Sequence, residues 1–194
     1  MSNLPLSFAA AVSAAALISA CQKPQEPAPD NSAEAPATAA PAAPQTIALN
    51  GADGRPVGTV TLSEDGNGAT IKIDASAIPA GTHGVHLHEK GMCDGPDFKS
   101  AGAHWNPMAK QHGRDNPLGA HLGDLANFEI GAAGTATTSF LVGGVTMGGT
   151  GNALADADGT SLVVHAKADD YKTDPSGNSG DRIACAVLAP PMGG

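Results

Sequence analysis

Six of the seven histidines in this 194-residue chain lie between His83 and His121. Any fold the chain adopts has to place that concentration of imidazole. The order is His83, His86, His88, His104, His112 and His121, with Cys93 interleaved, Asp124 just beyond, and His165 alone downstream. Imidazole suits copper and zinc, and a carboxylate completes a tetrahedral zinc set, so this pattern reads first as a metal site. For His83 alone, a histidine satisfied by its neighbours is the simpler reading. For all seven together, coincidence is not.

The segment His86-Leu87-His88 has the period of a strand. Alternate side chains of a strand share a face, so both imidazoles point one way while Val85 and Leu87 point the other. With Val85 and Leu87 turned to a core, the histidines lie on the outside of the sheet, where a long loop can cover them. His165 closes the apolar run Leu162-Val163-Val164 and can bring a third imidazole from a neighbouring strand. Such an array, three or four imidazoles near one plane, suits Cu(II). His112, His121 and Asp124 share the loop and make a second set of zinc character.

Around this segment the chain reads as all-β. Eight short runs qualify as strands: Thr46–Leu49, Val57–Leu62, Ala69–Asp74, Gly84–His88, Ala126–Ile130, Thr135–Leu141, Ser161–His165 and Ile183–Leu188. The first three are separated by Asp-Gly and Asn-Gly turn signals and should form a meander. No amphipathic helix is evident, and the 25 glycines and 15 prolines fit many turns. With aromatics at 3%, the core must be built from Val, Ile, Leu and Ala. An eight-stranded sandwich or flattened barrel with long metal-binding loops is the expected fold. Between Lys90 and Leu125 no strand pattern appears, and a loop of that length dense in histidine is functional rather than idle.

The N-terminal part has a different character. Residues 4–20 are small and apolar, too short for a comfortable membrane span, and match a signal-peptide core. Ile18-Ser19-Ala20-Cys21 resembles a bacterial lipoprotein signal, in which the cysteine is lipidated; cleavage of an ordinary signal near Ala20 is the alternative. Residues 21–45 are rich in Pro and Ala, have almost no large apolar side chains, and read as an extended tether. The expected organisation is signal 1–20, tether 21–45 and one domain from 46 to 194, exported to the bacterial periplasm and held to a membrane by lipid on Cys21. A formal net charge of −9 with scattered Lys and Arg argues against nucleic-acid binding. With Cys21 assigned to lipid, Cys93 and Cys185 are left either to pair, as an oxidising envelope permits, or to serve as soft metal ligands.

Five segments together carry a resemblance. They are Gly81-Thr-His-Gly-Val-His-Leu-His88, Gly102-Ala-His-Trp-Asn-Pro107, the run from His112 through His121 to Asp124, Ser161-Leu-Val-Val-His165 with Asp169 and Asp170 following, and Gly180-Asp-Arg-Ile-Ala-Cys185. In order, and with intervals of 8, 9 and 3 positions from His104 to Asp124, they resemble the copper/zinc superoxide dismutases over about residues 45–190. The exported form is similar to the periplasmic bacterial branch of that family.

The resemblance implies a Greek-key β-barrel and a redox enzyme with copper and zinc as cofactors and the superoxide anion as substrate. It implies copper on His86, His88, His104 and His165, and zinc on His104, His112, His121 and Asp124, with His104 as the bridging imidazolate. Asp169 would bond one ligand histidine of each metal, Arg182 would attract the anion, and Cys93 would pair with Cys185. His83 is left as a structural histidine bonding the backbone. Monomeric and dimeric members both exist. The chain departs from the eukaryotic pattern in lacking a lysine shortly before Arg182; Lys172 is near but out of register. A non-catalytic protein that stores or delivers metal is the rival reading, and such a protein would lack copper ligands or the arginine.

Overall fold

The computed structural model describes residues 43–192, so the signal segment and most of the tether lie outside the described residues. Nine strands follow one another: β1 (Gln45–Gly51), β2 (Pro56–Asp65), β3 (Gly68–Ala75), β4 (Gly81–His83), β5 (Val85–His88), β6 (Phe128–Ile130), β7 (Ala136–Gly143), β8 (Thr160–His165) and β9 (Arg182–Ala189). Seven form one antiparallel sheet in the order β5-β8-β9-β1-β2-β3-β7, and β4 pairs with β6. β4 runs on into β5 through Gly84, and a short turn joins β6 to β7, so the sheets curl into a barrel. The neighbours β3–β7 and β5–β8 are distant in sequence, which is the Greek-key signature.

Each of the eight expected strands is present, and the ninth is β4. Gly84 separates it from β5, which pairs with β8 while β4 pairs with β6, and Gly84 itself is bonded at the end of β8. Its N–H donates to Lys167 O at 2.8 Å and its carbonyl accepts the His165 N–H at 2.8 Å. A Cβ on Gly84 would also stand 3.0 Å from Ser179 Cβ and 3.3 Å from His86 Cε1. Among the described residues the only helical element is the 3-10 turn Lys99–Ala101, and no helix is long and apolar enough to cross a membrane.

Alternation explains the inner core. Val60 and Leu62 of β2 and Ile71 and Ile73 of β3 turn inward and are fully buried, while Lys72 between them is exposed. Each such branched side chain removed from water contributes roughly 1.5–3 kcal/mol. Val85, Leu87, Leu162 and Val164 join the same core, and Trp105 packs on it.

β8 has no exposed residue on either face. Leu162 and Val164 face inward, whereas Val163 packs outward against Phe98, Ala101 and Cys185 in a second apolar cluster. That cluster is the underside of the loop 89–103. Cys93 and Cys185 are disulfide-bonded, with Cα atoms 5.7 Å apart. The bridge closes a sequence separation of 92, worth about 4–5 kcal/mol in the chain-entropy picture. Phe98→Ala is expected to cost about 3–5 kcal/mol in urea unfolding of the disulfide-intact protein; a loss under about 1 kcal/mol would mean that this cluster does not anchor the loop.

Candidate metal centre

β5 lies at an edge of the large sheet, and two loop segments cap it. Trp105 N donates to Leu87 O at 2.8 Å, Leu87 N to Gly123 O at 2.9 Å, and Leu125 N to Val85 O at 3.2 Å. The edge is thereby covered, and His104 and Asp124 are carried onto the outer face where His86 and His88 point. His165 arrives from β8, which pairs with β5. All five of these residues are almost entirely removed from solvent.

Four imidazole nitrogens face one another there without a partner: His86 Nδ1, His88 Nε2, His104 Nε2 and His165 Nε2. One donor atom from each of these residues lies within 4.8 Å of the others. The opposite nitrogen of every ring meets an oxygen that can only accept. His86 Nε2 reaches Asp169 Oδ2 at 2.8 Å, His88 Nδ1 reaches Gly102 O at 3.0 Å, and His165 Nδ1 reaches Gly180 O at 3.2 Å. His104 Nδ1 reaches Asp124 Oδ1 at 3.0 Å. An acceptor there requires the ring proton on that nitrogen, so the tautomer is set and the inward nitrogen keeps a bare lone pair.

Burial reinforces this. It holds His86 and His88 below the usual imidazole range, and with the neighbouring His86 it pushes His104 to about 4 and His165 to about 3. Four neutral imidazoles with converging lone pairs and no donor among the described residues to satisfy them are a costly arrangement in an apolar setting. A bound cation removes that cost, so the residues present fit copper.

A second set adjoins it. His104 Nδ1, His112 Nδ1 and His121 Nδ1 converge on Asp124 Oδ1 at 3.0, 3.1 and 3.1 Å. Asp124 Oδ2 accepts from Gly113 N at 2.9 Å and His121 N at 3.0 Å. Burial opposes ionisation of Asp124, yet these bonds hold its carboxyl well below the usual range. Burial likewise works against charge on His112, but Asp124 and Asp169 outweigh it and lift the ring to about 9. Three imidazoles around one carboxylate fit zinc. Asp169 joins the sets, since its Oδ1 lies 3.0 Å from His112 Nε2 while Oδ2 holds His86. Gly177 makes room for it at φ +63, where a Cβ would fall 1.8 Å from Asp169 Oδ1.

The two sets open on different depressions. His104 and His165 reach the floor of one of about 440 Å³, walled by Gly180, Arg182, Pro175 and Ser176. Arg182 is seated by two carbonyls, Phe98 O at 2.7 Å and Gly102 O at 2.6 Å. An adjoining hollow is lined by Arg182 and Lys99, the latter paired with Asp97 at 2.6 Å. On the far side, His121 and Asp124 border a depression of about 460 Å³ against β7. His83 stands apart, its ring nitrogens 2.7 Å from His165 O and 2.9 Å from Pro79 O, a structural bond to backbone.

Residue spacing did not point to Lys99, which sits in a loop without periodicity. Nor did it point to the carbonyls of Gly102 and Gly180, because every residue carries a carbonyl.

The chain matches the copper/zinc superoxide dismutase family over residues 57–188. A Cu-Zn superoxide dismutase of Caulobacter vibrioides is 44% identical over 146 residues, covering 74% of this chain and 84% of its own length. The crystal structure of a SOD-like protein from Bacillus subtilis aligns with TM-score 0.72 at 39% identity, over 75% of this chain and 99% of that one. A Cu/Zn superoxide dismutase from Brucella abortus aligns with TM-score 0.57 at 28% identity, over 75% and 99%. With two imidazole sets joined at His104 on a Greek-key barrel, the chain belongs to the copper/zinc superoxide dismutase family.

Proposed function

We propose that this protein converts two superoxide anions and two protons into dioxygen and hydrogen peroxide, and does so in the bacterial envelope. The observation that carries the catalytic reading is the set of four bare, buried nitrogens on His86, His88, His104 and His165. These residues would hold copper, and His104, His112, His121 and Asp124 would hold zinc. When bound, copper would supply a one-electron couple and zinc a fixed positive charge.

The chain's own residues do the rest. Arg182 spends two guanidinium donors on Phe98 O and Gly102 O and keeps the others for an anion entering the depression. A protein of net charge −9 repels superoxide on average, so Arg182 must override that sign locally, over distances shorter than the screening length of about 8 Å. His104 borders the same depression, and its Nε2 would hold a proton and release it to the reduced substrate. Asp169, Gly102 O and Gly180 O hold the imidazole rings against rotation.

The copper- and zinc-loaded protein is expected to dismute superoxide, and His165→Ala to abolish that activity while retaining zinc. Arg182→Ala should lower the bimolecular rate and its sensitivity to salt. A loaded wild-type protein without activity would favour metal storage instead.

Proton release offers a second check. His112 carries a proton at neutral pH and must lose it to bind zinc, so zinc binding should release about one proton and strengthen as pH rises, levelling off near 9, to which the ring is lifted. The neutral His104 keeps one proton until both of its nitrogens are ligated, so copper added after zinc should release one more. Calorimetry in buffers of different ionisation heat reads both; a zinc heat independent of buffer would contradict the charged His112.

The signal-like segment and Ile18-Ser19-Ala20-Cys21 support export and lipidation at Cys21, with residues 21–45 as the tether and the enzyme guarding the envelope against oxidation. Cys21→Ser is expected to abolish palmitate labelling and move the protein from the membrane to the soluble fraction; membrane retention would refute the anchor.

A further inference from the structure

Asp169 joins His86 of the copper set to His112 of the zinc set, one carboxylate oxygen on each, and its backbone is held in an unusual way. Asn127 Nδ2 donates to Asp169 O at 2.9 Å, and Asp169 N donates to Asn127 Oδ1 at 2.8 Å. One carboxamide thus grips both polar atoms of one main-chain residue, much as a neighbouring strand would. Asn127 lies three positions after Asp124, so the grip ties Asp169 to the segment that carries the zinc-set carboxylate.

Asn127 is itself held. Its N–H donates to Tyr171 Oη at 2.8 Å. Tyr171 adopts φ +62, a left-handed conformation rare for an aromatic residue, and this turns it back over the site. From there its N–H donates to Asp169 Oδ1 at 2.6 Å and its carbonyl accepts from Asp115 N at 3.0 Å. The Arg114 guanidinium lies 3.8 Å from the ring centroid. Arg114 and Asp115 closely follow His112. The contacts therefore form a closed circuit from the zinc loop through Tyr171 and Asn127 to Asp169, and every member is a group of this chain.

We infer that Asn127 and Tyr171 are positioning residues that hold Asp169 in register between His86 and His112, so that one brace sets the geometry of both metal sites. This rests on the dismutase reading above. Its signature is that loosening the brace disturbs both sites together, whereas loss of a ligand unique to one site disturbs chiefly that site. The cost expected for removing such a support is about 10–100-fold in metal affinity.

The test uses the full-length protein and Asn127→Ala. Zinc affinity is measured by chelator competition, and the copper site is read from the Cu(II) electron paramagnetic resonance spectrum, both at a temperature where Trp105 fluorescence reports a folded protein. The expected result is a zinc affinity about 10–100-fold weaker, together with an altered copper hyperfine splitting. Tyr171→Phe keeps the ring under Arg114 but removes the Oη acceptor, and should shift both readouts in the same direction by less. A folded Asn127→Ala protein with wild-type zinc affinity and spectrum, and only a lower melting temperature, would reduce Asn127 to a structural residue and overturn the inference. If Asn127→Ala does not fold, Tyr171→Phe decides: a weaker zinc affinity with an altered spectrum upholds the brace, and unchanged values overturn it. A wild-type protein that binds neither metal would instead overturn the dismutase reading itself.

Discussion

The centre depends on one chemical constraint: the ring nitrogen of each copper-set histidine that points away from the site meets an oxygen able only to accept. Asp169 Oδ2, Gly102 O, Asp124 Oδ1 and Gly180 O hold the protons of His86, His88, His104 and His165 on the outside. Four lone pairs then have no choice but to face inward. These acceptors come from the zinc loop, the disulfide loop and the long β8–β9 connection, so the barrel has to hold three loops in register for the tautomers to be right. The capped edge of β5 and the doubly buried β8 are how it does so.

Much of this was readable in the residues themselves. Ile71-Lys72-Ile73 shows the inner face of β3 by alternation alone, and His86-Leu87-His88 shows the outer face of β5 in the same way. The eight strand candidates are found because each pairs an apolar period of two with a turn signal. β4 was missed because Gly81-Thr82-His83 is too short to show a period, and its partner β6 is fixed by long-range register.

The site divides along a similar line. The histidines of the two sets stand out because imidazole is scarce elsewhere in the chain and their spacing is distinctive. Asn127 and Tyr171 do not, because their contacts with the site are made across the fold. Asn127 meets Asp169 from 42 positions away, and nothing beside it in sequence marks it. The glycine carbonyls that fix His88 and His165 are invisible in principle, since the atom concerned is common to every residue. Side-chain chemistry can be read from a string of letters, whereas backbone chemistry requires a fold.

The two depressions on either side of His104 bear on how the centre is filled. One exposes the edges of His104 and His165, the other the edges of His121 and Asp124. The centre is therefore approached from two separate sides of the barrel, although the donor nitrogens themselves are covered.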